Sequence, residues 1–120
     1  MRKRICLTIL ASLFCLSAQA GDWMFNGVKT SLVIDVRTPA EFAAGHVDGA
    51  INIPYEQIAG KIRAVPGASV DRPILLYCRS GRRSAIAREA LEKMGYRRVM
   101  DGGGMADAVR NLKTCAAKVC

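Results

Sequence analysis

Cys78 opens the segment Cys78-Arg79-Ser80-Gly81-Arg82-Arg83-Ser84, between the apolar run Pro73-Ile74-Leu75-Leu76-Tyr77 and an alanine-rich helical pattern. The order is strand, cysteine, tight loop, helix. A thiol at the carboxyl end of a buried strand in an open α/β sheet lies where such sheets bind ligands. There it faces backbone N–H groups and the positive end of the next helix dipole. Arg79, Arg82 and Arg83 add full positive charges, and such surroundings lower a cysteine pKa from roughly 8.5 towards 3.5–7.5. The expected chemistry is that of an activated sulfur nucleophile that receives anions. Ser80 and Gly81 complete the anion-binding loop, Gly81 by letting the backbone curl so that its N–H groups point inward. Arg83 is expected to frame the loop and hold the oxygens of an anion with paired N–H donors. Arg79 and Arg82 either share that task or form a solvated basic rim that steers anions. Ser84 reads as a cap of the following helix or as a hydroxyl touching the sulfur.

These residues need a sheet to hold them. Ser31-Leu32-Val33-Ile34-Asp35-Val36 is rich in β-branched residues without helical period, a buried strand. Thr38-Pro39-Ala40-Glu41 supplies a cap, a proline at the first helical position and an acid at the third, so a short helix begins at Pro39 and stops near Gly45. Ala50-Ile51-Asn52-Ile53 is a short strand ended by Pro54, after which Tyr55, Ile58 and Ile62 space out as one helix face closed by Pro66-Gly67. Pro73–Tyr77 is the central strand. Arg83–Met94 is a helix with Ala85, Ile86, Ala90, Leu91 and Met94 inward and Gly95 at its end. Arg98-Val99-Met100 is a last strand, Gly102-Gly103-Gly104 a turn, and Met105–Leu112 a terminal helix. Alternating strands and helices with short joints argue for a parallel sheet covered on both faces.

The first twenty residues stand apart. Arg2-Lys3-Arg4, the apolar run Ile5–Leu16 and Ala18-Gln19-Ala20 have the three parts of a secretory signal peptide, with cleavage before Gly21. The apolar run is shorter than the ~20 residues of a spanning helix, so no membrane anchor is expected. The remainder, 21–120, fits one domain. The chain carries 18 basic and 10 acidic residues, a formal +8, and loss of the first three basic residues leaves +5. Nucleic acid is disfavoured as a partner, because no aromatic residues interleave with the arginines. After processing, the cysteines are Cys78, Cys115 and Cys120. An odd number leaves one thiol over in an oxidising compartment, expected to be Cys78, while Cys115 and Cys120 either close a small loop or stay as inert thiols.

Asp35-Val36-Arg37, Glu41-Phe42, Gly45 through Pro54, Cys78 through Arg83 and Gly103-Gly104-Met105 occur in that order. Together they resemble the single-domain rhodaneses, and the short length with an export signal is most like periplasmic members of that family. The resemblance implies an α/β fold, a rhodanese-like three-layer domain with a central parallel sheet flanked by helices. It also implies thiosulfate sulfurtransfer through a Cys78 persulfide to cyanide or a thiol, in a monomer without a cofactor. The sequence departs from the family at Ala108, where many members carry Trp. Arg79 would narrow the pocket and favour a small anionic donor.

Asp35, Arg37, Glu41 and His46 read as fold-holding residues, with Arg37 expected to pair with Glu41 or Asp35. His46, the only histidine, lacks the second His or Asp of a metal or catalytic constellation, and no CxxC is present, so no metal is expected. Trp23 and Phe25 read as packing. Rhodanese-like dual-specificity phosphatases carry a longer Cys-x5-Arg loop. The Cys-x4-Arg interval here is too small to cradle a phosphate in its transition state. A non-turnover persulfide carrier of the cell envelope is the other reading of the same residues.

Overall fold

The computed structural model describes residues 23–30 and 32–114, with side chains to Leu112. The expected signal peptide and the Cys115/Cys120 pair lie outside the described residues. In chain order the elements are β1 (Trp23–Phe25), β2 (Val28–Thr30), β3 (Leu32–Asp35), α1 (Pro39–Ala44), β4 (Ile51–Asn52) and α2 (Ile58–Lys61). There follow β5 (Ile74–Cys78), α3 (Arg82–Lys93), β6 (Val99–Gly104), α4 (Met105–Asn111) and β7 (Leu112–Thr114).

Four strands form a parallel sheet in the order β4-β3-β5-β6. β3 and β5 are its inner strands, and all five residues of β5 are buried, with no charged side chain to present to water on either face. Alternation along the strands divides them between two cores. Ile34, Val36, Ile74, Leu76 and Cys78 point to the side of Ile58, Ile62, Ala87 and Leu91. Val33, Leu75 and Tyr77 point to the side of Trp23, Phe25, Val47, Ala50 and Ala108. A strand buried on both faces shows a continuous apolar run rather than alternation. The period of two also decides that Cys78 faces α3 and Tyr77 does not.

Four expectations are corrected. The Tyr55–Ile62 face is not one helix. It is a 3₁₀ turn (Tyr55–Gln57), the single turn of α2 around Gly60, and a second 3₁₀ turn (Ile62–Ala64). Ile58 and Ile62 are nonetheless buried, so the apolar spacing marks the inward residues although the helix is not continuous. α3 buries Ser84, Ala87 and Leu91 with Ala90 and Met94 packed on the core, so Ala90, Leu91 and Met94 face inward as expected, whereas Ile86 is 40% exposed and Ala85 is also exposed. The first turn of the helix faces the cysteine, and a polar Ser84 therefore takes an inward position. Gly102–Gly104 is the end of β6, not a turn. The expected order also lacked the antiparallel sheet β2-β1-β7, which carries Trp23 and Phe25 onto the second core. There Trp23 and Phe25 share a cluster with the fully buried Ala108, and large side chains from the hairpin provide bulk that Ala108 does not.

Candidate active site

The loop from Cys78 to Ser84 joins the carboxyl end of β5 to the amino end of α3. Gly81 stands just before α3 with φ 96°, in the left-handed region that costs a side-chain-bearing residue strain. This turn aims the Gly81 N–H at Cys78, whose Sγ accepts it at 2.8 Å. No side-chain cap closes the start of α3, so the sulfur occupies the place of one. Ser84 Oγ lies 3.5 Å from Sγ and also donates to the Gly81 carbonyl at 3.0 Å. A hydroxyl has one proton and two lone pairs. It can accept from the neutral thiol while bonding Gly81, or turn that proton to a thiolate. Both residues are fully buried. Burial pushes the Cys78 thiol up, but the Ser84 hydroxyl and the N–H groups of Ser84, Gly81 and Ser80 outweigh it. The thiol is held below its ordinary value.

β6 forms the back wall of this loop. Its pairing with β5 slips between Leu76 and Cys78, so that Leu76 faces Asp101 and Cys78 faces Gly104. The slip is a bulge. Asp101 accepts the Gly103 N–H at 2.8 Å, and Gly103 takes φ 73°. A Cβ on Gly104 would stand 2.6 Å from the Arg79 carbonyl oxygen, closer than real contacts permit. The glycine run thus lets one backbone lie directly against another. Motif spacing alone did not reveal this role, although glycines at the end of a strand are a signal for close backbone approach.

The three arginines part company. Arg79 and Arg82 are exposed on the rim. Arg83 is turned to α1, where Nη1 and Nη2 donate to the two Glu41 carboxylate oxygens at 2.6 and 2.9 Å. Its paired donors, expected to hold an anion, are therefore engaged by the protein itself. The same Glu41 Oε1 accepts from the Thr38 N–H at 3.3 Å while Thr38 Oγ1 accepts the Glu41 N–H at 3.2 Å, a reciprocal cap. The Arg83 hydrogen bonds lower the Glu41 carboxyl to about 2.

Arg37 pairs with Asp35 and not with Glu41. Asp35, fully buried, accepts from the Arg37 backbone N–H at 2.9 Å, from Nε at 2.9 Å and from Nη2 at 2.6 Å. Arg37 Nη2 also donates to the Gly45 carbonyl at 2.6 Å. Tyr77 Oη accepts the Val47 N–H at 3.0 Å, and burial raises the phenol to about 12, so it stays neutral. Asn52 donates to the carbonyls of Asp35 and Arg37, both at 3.0 Å. It ties β4 to the segment after β3, a contact that sequence reasoning missed because a lone Asn on a short strand has no distinguishing spacing. His46 is exposed, stacks on Phe42 at 3.6 Å between ring centroids and bonds the Phe42 carbonyl through Nδ1 at 2.7 Å.

The geometry of a cysteine-headed loop at the end of a parallel strand has counterparts. The family model for the rhodanese-like domain matches residues 18–107. The chain belongs to the rhodanese family. It is 43% identical over 75 residues to the thiosulfate sulfurtransferase PspE of Escherichia coli K12, spanning 62% of this chain and 70% of that protein. It is 39% identical over 87 residues to a sulfurtransferase of Allochromatium vinosum, spanning 71% and 78%. Among solved structures, a rhodanese with anions from E. coli superposes with a TM-score of 0.59 at 42% identity, covering 63% of this chain and 88% of that one. The expected architecture, a central parallel sheet flanked by helices, is the one found. The four-stranded sheet of this rhodanese has Cys78 at its carboxyl edge, as the family resemblance implied.

Proposed function

We propose that this family member is a sulfurtransferase that takes a sulfane sulfur from thiosulfate and passes it to cyanide or a thiol through a persulfide on Cys78. The observation that carries the reading is the cap-like seat of the sulfur, which receives the Gly81 N–H at 2.8 Å with Ser84 Oγ at 3.5 Å. In the first half-reaction the Cys78 thiolate attacks the outer sulfur of thiosulfate. A new S–S bond forms, the S–S bond of the donor breaks, and sulfite leaves with the bonding pair. In the second, cyanide attacks the outer persulfide sulfur, thiocyanate departs and the thiolate is restored. Charge is conserved in each step. The N–H groups aimed at the sulfur stabilise the anion before and after attack, because both thiolate and persulfide are negative.

Arg79 and Arg82, with Ser80 and Gly81 in the loop backbone, receive the sulfonate oxygens of the donor, and Arg83 frames the loop. The A. vinosum and E. coli relatives named sulfurtransferases support the class of activity. Export through the signal segment to the periplasm and action as a monomer complete the reading. No helix among the described residues is long and apolar enough to cross a membrane.

Intact mass after incubation with thiosulfate, together with thiocyanate release from added cyanide, tests the mechanism. One added sulfur atom and sustained thiocyanate are expected for the native chain. Neither is expected for Cys78→Ser, whose hydroxyl is a far weaker nucleophile at neutral pH. A Cys78→Ser variant that still gains sulfur or turns over sinks the assignment, and sulfur gain without turnover makes the protein a carrier.

A further inference from the structure

Three arginines follow Cys78, but water screens two of them. Arg79 and Arg82 are exposed, where a single charge has little reach. Arg83 is 22% exposed at its side chain and its partner Glu41 27%, so this pair carries the least-screened charge beside the loop. Glu41 comes from a different element, 42 residues away in sequence, and is itself held by Thr38. The two-point contact fixes both orientation and charge balance.

We infer that Glu41 is a positioning residue that holds Arg83 and cancels its charge, so that the loop releases a dianion as readily as it admits one. The reason lies in the proposed reaction: donor and product are both dianions bearing the same sulfonate-type oxygens. A free Arg83 would bind thiosulfate and sulfite alike, and binding that does not distinguish the transition state lowers KM without raising kcat. It would also retard departure of the product. Glu41 touches neither the sulfur nor its hydrogen-bond partners, so its action is through Arg83.

The test is a cycle of Glu41→Gln, Arg83→Gln and the double variant in the full chain. Glutamine at position 41 keeps an oxygen for the Thr38 N–H, so the helix cap survives, and thermal unfolding of each variant checks this. The probe is sulfite, read as protection of Cys78 against iodoacetamide, with thiosulfate KM measured alongside. Glu41→Gln should tighten sulfite by about fivefold and lower KM in parallel, Arg83→Gln should weaken it by a similar factor, and the double variant should return close to the native value. If Glu41→Gln weakens sulfite as Arg83→Gln does, the pair acts jointly to bind anions and the inference is overturned. An unchanged series overturns it as well. The kinetic arm rests on the sulfurtransferase reading, whereas the protection arm does not. Loss of thiocyanate production in the native chain would therefore remove that reading and leave the Glu41 cycle to give its own answer.

Discussion

β3 and β5 are parallel neighbours in register, Asp35 opposite Tyr77, and each ends in a loop that starts a helix. At the end of β3 side chains close the start of the helix and the buried charge. Thr38 and Glu41 cap α1 reciprocally, and the buried Asp35 carboxylate is enclosed by Arg37. At the end of β5 the start of α3 has no side-chain cap, and the Gly81 N–H goes to sulfur. The same edge of one sheet thus holds a closed helix start and an open one. An open start leaves N–H groups for a ligand or nucleophile, and a closed one spends them on stability. The difference separates framework from chemistry within adjacent strands.

Breaking the closed side should damage the fold most. Asp35→Ala removes the carboxylate that accepts three donors from Arg37 and leaves a nearly buried guanidinium with the Gly45 carbonyl as its hydrogen-bond acceptor among the described residues and the Tyr77 ring beneath it. Removing one member of a buried pair costs about 3–5 kcal/mol. Urea denaturation should show a loss of that size. A loss below about 1 kcal/mol, the range of exposed pairs, would mean that Arg37 finds water or another acceptor and that the β3 end is less closed than its geometry indicates.

The open side should respond in chemistry. Ser84→Ala removes a hydroxyl that lowers the Cys78 thiol while leaving the Gly81 N–H in place. Its loss raises the thiol, so the rate of iodoacetamide alkylation should rise at higher pH than in the native chain. The deficit should be largest below the native transition and vanish where both thiols are ionised. A profile that stays in place would show that backbone N–H groups alone hold the sulfur. Ser84 would then serve only the Gly81 carbonyl.

Much of this contrast was legible beforehand. The Thr38-Pro39-Ala40-Glu41 signal is local, so α1 and its cap follow from four residues. The place of Cys78 follows from an apolar run that only a strand buried on both faces explains. What escaped were consequences of packing between distant segments. Arg83 has several possible carboxylates within a short domain, and only the placement of α1 beside α3 selects Glu41. On α3 the expected Leu91, Ala90 and Met94 do meet the core, and only the first turn differs, where contact with the cysteine brings Ser84 and Ala87 inward in place of Ala85 and Ile86. The hairpin of Trp23–Thr30 consists of three-residue strands, too short for an alternation to be counted. Gly104 was visible as a glycine, but its reason is the carbonyl of Arg79 across the sheet.

The smallest effect sharpens the comparison from the closed side. Thr38→Ala removes the oxygen that accepts the Glu41 N–H at 3.2 Å and frees the first turn of α1. Loss of such a cap costs about 1 kcal/mol, since the N–H groups it served can turn to water on an exposed surface. The expected result is a modest fall in unfolding free energy, with the pH profile of Cys78 alkylation at its native position, because Thr38 is no partner of the sulfur or of Gly81. If capping on β3 and activation on β5 were one cooperative unit, the same substitution would carry the alkylation profile to higher pH. The two edges would then be a single device, and not the separate framework and reactive ends that their hydrogen bonds describe.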